Sequence, residues 1–356
     1  MRNLVLHIAE PFATGVFMFV VNLANKQCED YDVYVAHGMR PLTHPNYPDF
    51  FDKRIKLLRI ENFTGEINPS KDFKAFLEIR KIIERIQPDI VHMHSSKSGV
   101  IGRLAFAFNK IPQFYSPHGF SFLMEDTSGI KRFIYGSIET FFSRFFSCTI
   151  VASSQGEFKE ALKLSRKSRL VNNGIEMKDM EPYENKAPVQ ADHKTLVTTV
   201  GRILYQKNPA LFNEIASRMP DVQFLWIGEG ELQTCLTAPN IRTEGWGKRE
   251  DALDMVARSD IYLMTSLWEG MPLSLLEAMC LKKICIVSNV IGNRDVIKNG
   301  VNGFVCKNAD EFVDAIRAVI NREADCPRIA ANAYEDIKTE YNTDVMYSKF
   351  NQLYNQ

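Results

Sequence analysis

Ser266-Leu267-Trp268-Glu269-Gly270-Met271-Pro272-Leu273-Ser274-Leu275-Leu276-Glu277-Ala278-Met279 follows a strand-like run at 260–264 and reads as a loop entering a buried helix. Pro272 suits a first helical position, because its φ is already helical and its missing N–H would be unpaired there. Leu273, Leu275, Leu276 and Met279 supply the apolar face. Glu269 then lies just before a helix and Glu277 inside it. The amides around Gly270, Met271 and Leu273 face whatever space the loop borders, and such amides attract anions such as phosphate. A carboxylate beside an anion site points to a ligand that carries both hydroxyls and phosphate.

Working outward, strand-like runs recur at 3–9, 32–36, 55–60, 89–93, 113–116, 148–152 and 169–172, then at 195–200, 222–228, 240–243, 260–264, 284–287 and 303–305. Helix-period stripes lie between most of them, such as Phe73, Leu77, Ile79, Ile82, Ile83 and Ile86, or Phe312, Ile316, Val319 and Ile320. Alternation of this kind predicts an α/β protein with parallel sheets covered on both faces. The pattern pauses over a polar segment with Pro182 and Pro188 and restarts at Thr195. The expected organisation is therefore a first doubly wound domain over 1–178, a linker over 179–194, a second doubly wound domain over 195–342, and a terminal helix over 343–356 that packs back on the first.

Bulk properties narrow the function class. At 356 residues, two domains are the expectation. Forty-three basic and 43 acidic side chains cancel, which argues against a general nucleic-acid binder. Residues 1–179 are net +5 and the remainder net −5, a difference that fits either an incidental surface property or a first domain facing an acidic partner. Cysteines 28, 148, 235, 280, 285, 306 and 326 form neither a C-x-x-C pair nor a metal-ligand spacing, so reduced thiols in a cytoplasmic protein are expected. No signal peptide fits ahead of Leu4, and no apolar stretch is long enough to span a bilayer. The one Asp-x-Asp, Asp30-Tyr31-Asp32, falls before the second strand, at the wrong end of a sheet for a nucleotide-bound metal, and reads as a solvated turn.

Ligands in doubly wound sheets bind beyond the carboxyl ends of the strands. Four loops there carry chemistry-bearing residues. Gly15, in Pro11-Phe12-Ala13-Thr14-Gly15-Val16, marks either a tight turn or a close phosphate approach. That loop lacks G-x-G-x-x-G, and no acid follows the second strand, which disfavours a nicotinamide enzyme. Gly201-Arg202-Ile203-Leu204-Tyr205-Gln206-Lys207 places two cations on one loop, either as solvated charges or as a diphosphate clamp. Tyr115-Ser116-Pro117-His118-Gly119 sets a histidine at a strand end, structural or substrate-touching. Gly245-Trp246-Gly247-Lys248-Arg249-Glu250 offers an aromatic that borders a planar base or merely sits at a rim.

Together these residues resemble the retaining family 4 glycosyltransferases, which have the GT-B architecture of two Rossmann-like domains facing a central cleft. The motifs that carry the resemblance are Glu-x7-Glu at Glu269 and Glu277, Gly-Arg-x4-Lys at Gly201, Arg202 and Lys207, Pro117-His118-Gly119, Val91-His92-Met93-His94-Ser95-Ser96-Lys97, and Val171-Asn172-Asn173-Gly174-Ile175. The resemblance implies that Arg202 and Lys207 hold a donor diphosphate, Glu277 a ribose, and Glu269 with the amides of Gly270, Met271 and Leu273 a donor sugar. His118 would touch the sugar at the reacting centre. Gly15, Gly201, Trp246 and Asn173 would complete the donor site, and Ser96 and Lys97 would lie on the acceptor side. Many members carry two adjacent glycines after the first strand, whereas Thr14 precedes Gly15 here.

The implied reaction is front-face transfer with retention, in which the leaving phosphate takes the acceptor proton and the protein positions reactants and stabilises departing charge. It needs no cofactor and no metal; the donor would be a UDP- or GDP-sugar and the acceptor a sugar or lipid-linked sugar in surface polysaccharide or glycolipid synthesis. The segment Lys131-Arg132-Phe133-Ile134-Tyr135 through Phe146 mixes basic and aromatic residues as an interfacial helix would, so peripheral contact with the inner membrane face is a further expectation. A nucleotide-sugar epimerase or hydrolase on the same scaffold, and a non-catalytic nucleotide-sugar-binding protein, are the alternative readings.

Overall fold

The computed structural model describes residues 2–107, 109–184, 186 and 194–356. Half of the expected linker, residues 185 and 187–193, lies outside them. In chain order the elements are β1 (Leu4–Ala9), α1 (Thr14–Gln27), β2 (Asp32–His37), β3 (Lys56–Arg59), α2 (Pro69–Ile86), β4 (Ile90–His94), α3 (Ser96–Ala105), β5 (Gln113–Ser116), α4 (Gly129–Phe145), β6 (Thr149–Ala152), α5 (Gln155–Leu164) and β7 (Arg169–Leu170). There follow β8 (Leu196–Val200), α6 (Pro209–Ser217), β9 (Gln223–Ile227), β10 (Ile241–Glu244), α7 (Arg249–Ala257), β11 (Ile261–Met264), α8 (Leu273–Cys280), β12 (Ile284–Ser288), α9 (Asn293–Val296), β13 (Phe304–Cys306), α10 (Ala309–Ile320), α11 (Cys326–Thr339) and α12 (Thr343–Tyr354). Every strand expected from the sequence forms, within a residue or two of its expected ends.

The chain divides into two compact units, one of residues 1–123, 127–174 and 343–356 and the other of 124–126 and 175–342. The first holds a parallel sheet in the order β3-β2-β1-β4-β5-β6-β7, the second a parallel sheet in the order β10-β9-β8-β11-β12-β13. Strand order reverses between β1 and β4 in one and between β8 and β11 in the other, so each sheet has a switch point where a ligand crevice opens beyond the strand ends.

Period-two burial separates two cores in each unit. In the first, Val5, Val33, Val35, Phe114 and Val151 face α1 and α12, while Leu6, Ile8, Val91, Met93 and Ile150 face α2 and α3. In the second, Val197, Phe224, Trp226, Ile261 and Ile286 pack under α6 and α10, and Leu225, Ile227, Tyr262, Met264 and Val287 under α8 and α11. Helix α12 belongs to the first unit: Met346, Phe350 and Tyr354 enter its core beside Phe19, and Asp344 pairs with Lys26 of α1 at 2.7 Å. No helix among the described residues is long and apolar enough to cross a membrane.

Candidate functional site

In the second unit the loops after β8 and β11, the two sides of the switch point, are stitched backbone to backbone. Leu267 N donates to Gln206 O (2.8 Å), Gln206 Nε2 to Trp268 O (2.9 Å), and Thr265 Oγ1 to Lys207 O (2.8 Å). This seam sets Lys207 Nζ 2.6 Å from Glu269 Oε1, with the two side chains 18% and 8% exposed. The pair that the sequence separates by 62 positions is therefore one ion pair. Arg202 on the same loop is exposed and makes no ion pair among the described residues.

Glycines let the other loops close on this seam. Gly228, after β9, has φ +138°, and a Cβ there would sit 2.2 Å from Gly201 O and 3.4 Å from Trp246 Cζ2. Gly201 O also accepts from Trp226 Nε1 at 2.8 Å, so the loop that carries Arg202 is held from behind. Trp246 is 42% exposed and stands beside Gly228 and Gly201, where a planar group bound at the loop would meet it. Gly292 has φ +84°, and a Cβ there would meet Gly270 O at 2.3 Å. The backbone of Glu269 and Gly270 is thus wedged between Gly292 and the Lys207 loop.

Pro272 is extended (φ −74°, ψ 123°) and caps α8 rather than opening it; the helix starts at Leu273. The expected placement of Pro272 inside the helix is off by one, because the sharp exit from Glu269-Gly270-Met271 needs one more extended residue. Helix α8 has no side-chain cap, and Leu275 N turns back to Pro272 O at 3.2 Å, which leaves the amides of Leu273 and Ser274 available to an anion. Leu275, Leu276, Met279 and Cys280 are buried beneath.

Glu277, about one turn in, is gripped by Arg249 of α7, whose Nη2 and Nε donate to Oε1 at 2.7 and 3.2 Å. Arg249 also pairs with Asp179 at 3.3 Å. Both glutamates share a pattern: Oε1 is held by a cation, and Oε2 makes no hydrogen bond among the described residues. A carboxylate fixed by one oxygen presents the other to a hydroxyl donor. Sequence reading missed Arg249; its signal was its place in the Gly245–Glu250 loop, whose strand end adjoins the same crevice.

In the first unit the residues singled out also sit at a switch point, after β1, β4 and β5. Thr14 opens α1 with φ +52°, the left-handed region that favours glycine, and a Cβ on Gly15 would meet nothing within 4 Å. Ser96 Oγ lies 3.0 Å from Ser121 Oγ. Lys97 is satisfied within the unit: Nζ pairs with Asp72 at 2.6 Å and donates to the carbonyls of Thr64 and Glu66 at 2.5 Å each. All three ammonium donors of Lys97 are therefore spent on the loop before α2 and on α2 itself. Asn173 is buried at the end of β7. The Asp30-Tyr31-Asp32 turn precedes β2, and Asp30 takes a hydrogen bond from Tyr347 of α12.

His118 has φ +54° and is followed by Gly119 at φ +95°, whose N donates to Glu157 Oε1 at 2.6 Å. Its ring meets Phe19 edge-on at 4.5 Å and His94 Nδ1 at 3.1 Å through Nε2. Burial lowers its pKa to about 3, so the imidazole is neutral at any ordinary pH.

In the second unit, a Lys207–Glu269 ion pair, a second carboxylate held by Arg249 and an uncapped helix start at one switch point suit a ligand with both phosphate and hydroxyls, as a sugar nucleotide has. The comparisons with known proteins agree. Residues 13–179 match the family described as Glycosyltransferase Family 4, and residues 181–336 that described as Glycosyl transferases group 1. The Escherichia coli UDP-Gal:alpha-D-GlcNAc-diphosphoundecaprenol alpha-1,3-galactosyltransferase is 28% identical over 354 residues, covering 92% of this chain and 89% of that protein. The Campylobacter jejuni N,N'-diacetylbacillosaminyl-diphospho-undecaprenol alpha-1,3-N-acetylgalactosaminyltransferase is 25% identical over 333 residues, covering 86% and 87%. Among solved structures, Anabaena Alr3699/HepE in complex with UDP and glucose superposes with a TM-score of 0.81 at 15% identity, over 99% of this chain and 100% of that one. The chain belongs to the family 4 glycosyltransferases, with the GT-B fold: it moves a sugar from a nucleotide-diphosphate donor to a hydroxyl acceptor with retention at the anomeric carbon.

Proposed function

We propose that the chain transfers a sugar from a UDP-sugar to a diphospholipid-linked sugar at the inner face of the bacterial membrane, as a step in surface-polysaccharide assembly. The observation that carries the donor half is the Lys207–Glu269 pair at 2.6 Å beside the uncapped start of α8. The cation and the helix amides, with Arg202, take the departing diphosphate, while Glu269 takes sugar hydroxyls through Oε2. Glu277, oriented by Arg249, holds the ribose, with Gly201 and Trp246 bordering the nucleotide. In the first unit, His118, with Gly15 and Asn173, is the candidate for contact with a sugar. Ser96, hydrogen-bonded to Ser121 and Tyr115, is the nearer acceptor-side candidate; Lys97 joins it only by giving up Asp72 or a carbonyl. The acceptor class is supported by the two relatives above, whose names place the acceptor sugar on diphosphoundecaprenol.

Membrane contact is supported by α4, whose amphipathicity is inverted. Its inward side carries Glu139, 2% exposed and bound by Arg103 (3.0 Å) and Tyr115 (2.7 Å), together with Phe142. Its outward side carries Ile130 and Phe133 at 76% exposure, Phe145 at 67% and Phe141 at 52%, beside the exposed Lys131 and Arg132. Apolar residues ringed by lysine and arginine complement an anionic lipid surface. Thermal shift against UDP- and GDP-sugars tests the donor: a ligand at about 100 times its Kd adds about 2.7 kcal/mol of stability. A shift with UDP-sugars is expected. A shift with GDP-sugars alone would overturn the choice of base, and a shift with neither would overturn the site.

A further inference from the structure

Behind His118 runs a single file of hydrogen bonds. Gln27 Oε1 lies 2.6 Å from His7 Nε2, His7 Nδ1 lies 2.9 Å from His94 Nε2, and His94 Nδ1 lies 3.1 Å from His118 Nε2. His7, His94 and Gln27 are all fully buried. Burial lowers His7 to about 4 and His94 well below the usual range, so each ring is neutral and has one N–H. An amide oxygen can only accept, so Gln27 Oε1 takes its hydrogen bond from His7 Nε2. His7 therefore donates from Nε2 and accepts at Nδ1. His94 then donates from Nε2 and accepts at Nδ1. His118 in turn donates from Nε2, and its Nδ1, which makes no hydrogen bond among the described residues, is a bare lone pair.

These three rings are not a metal site as they stand. His7, His92 and His94 offer nitrogens within 4.8 Å of one another, but all six nitrogens are already hydrogen-bonded, His92 to Ser116 at 2.8 Å and Tyr354 at 2.7 Å. The 2.9 Å gap from His7 to His94 is also shorter than the roughly 3.3 Å between tetrahedral ligands on zinc.

We propose that Gln27, His7 and His94 are positioning residues that lock His118 as a hydrogen-bond acceptor at Nδ1, and so suit it to a ligand group that offers a hydroxyl and set it against one that offers a carboxylate. The selection rests on the reading that His118 contacts a sugar. A hydroxyl can give its proton to the bare nitrogen. A uronate oxygen has no proton to give and would meet lone pair with lone pair, and a site whose polar group is left unpaired discriminates strongly.

The tautomers can be read without any ligand, from two-bond ¹H–¹⁵N correlations of the full chain labelled at histidine. The expected wild-type spectrum shows His118 protonated at Nε2 only. Gln27→Glu places a carboxylate against His7 and makes it imidazolium, which donates from both nitrogens. His94 and then His118 must turn over, so His118 becomes protonated at Nδ1. Gln27→Met removes the anchor and leaves His118 a mixture, and it serves if the glutamate variant does not fold. An Nδ1–H in the wild type, or a His118 signal indifferent to residue 27, would overturn the proposal. In binding, the wild type should prefer UDP-glucose or UDP-galactose over UDP-glucuronate by at least about tenfold, Gln27→Glu should narrow that ratio, and UDP alone should bind both equally. Equal binding of the uronate by the wild type overturns the selection. Failure of every UDP-sugar to bind overturns the donor reading instead, and the spectra still decide the file.

Discussion

Lys207 and Glu269 each depend on the other for more than charge. Removing Lys207 leaves a carboxylate 8% exposed without its partner and, on the proposed reading, a departing diphosphate without a cation. We expect Lys207→Ala and Glu269→Ala each to lower transfer by at least about a hundredfold, the scale of losing one preorganised charge contact, with circular dichroism and melting showing a folded protein. Near-normal rates in either variant would remove that residue from the site. Gly292→Ala tests the wedge: a methyl 2.3 Å from Gly270 O must push the Glu269 loop aside, so kcat/KM should fall while UDP itself still binds. On the proposed reading, in which Glu277 holds a ribose away from the reacting bond, Arg249→Met should raise KM for the donor more than it lowers kcat. The placement of Glu269, Glu277, Arg202, Lys207 and His118 beyond strand ends was legible in the sequence, because short apolar runs mark the strands that precede them. Arg249, Gly228 and Gly292 were not, because each acts through a contact between segments remote in sequence.

At the scale of single elements, α4 is where reading and structure meet least simply. Its aromatic-basic mixture fits a buried helix or an interfacial one equally well, and the deciding fact is which side Glu139 takes. Arg103 and Tyr115, on α3 and β5, claim that carboxylate and so rotate the phenylalanines outward. Replacing Phe133 and Phe145 with serine should therefore leave thermal stability almost unchanged and sharply reduce sedimentation with vesicles containing phosphatidylglycerol. Unchanged sedimentation would remove α4 as the docking face. Strand positions, by contrast, were legible almost to the residue, since parallel strands buried on both faces are short apolar runs bounded by polar turns. Helix starts were less so: Pro272 is helix-compatible in isolation, and only the path of the loop before it decides that it caps α8 from outside.

The whole molecule carries an acid sensitivity that its neutral net charge does not announce. His7 and His118 are held down to about 4 and 3, and His92 and His94 lie well below the usual range, all by burial as neutral rings. Unfolding frees each to take a proton near pH 6.5. Their contribution is complete above that pH and is lost as pH falls toward the folded values, with a slope of up to about 1.4 kcal/mol per pH unit for each ring. Melting temperature should therefore drop steeply between pH 6.5 and 5, and a flat profile there would contradict the burial of these rings as neutral species. Helix α12 bears on the same unit: Phe350 is 1% exposed against Phe19 and His92, and Phe350→Ala should cost about 3–5 kcal/mol of that unit's stability.

Because α12 is threaded last yet fills the core begun by β1 and α1, the first unit is still missing a wall when the ribosome has already finished the second. The growing chain must hold its amino-terminal half in a provisional state for some 170 residues of synthesis, roughly 10–30 seconds at bacterial elongation rates. A nascent chain stalled before Thr343 should display a protease-sensitive first unit beside a resistant second one. A chain that stops before Thr343 would then carry a finished second unit beside a first unit, the one His118 belongs to, that lacks a wall.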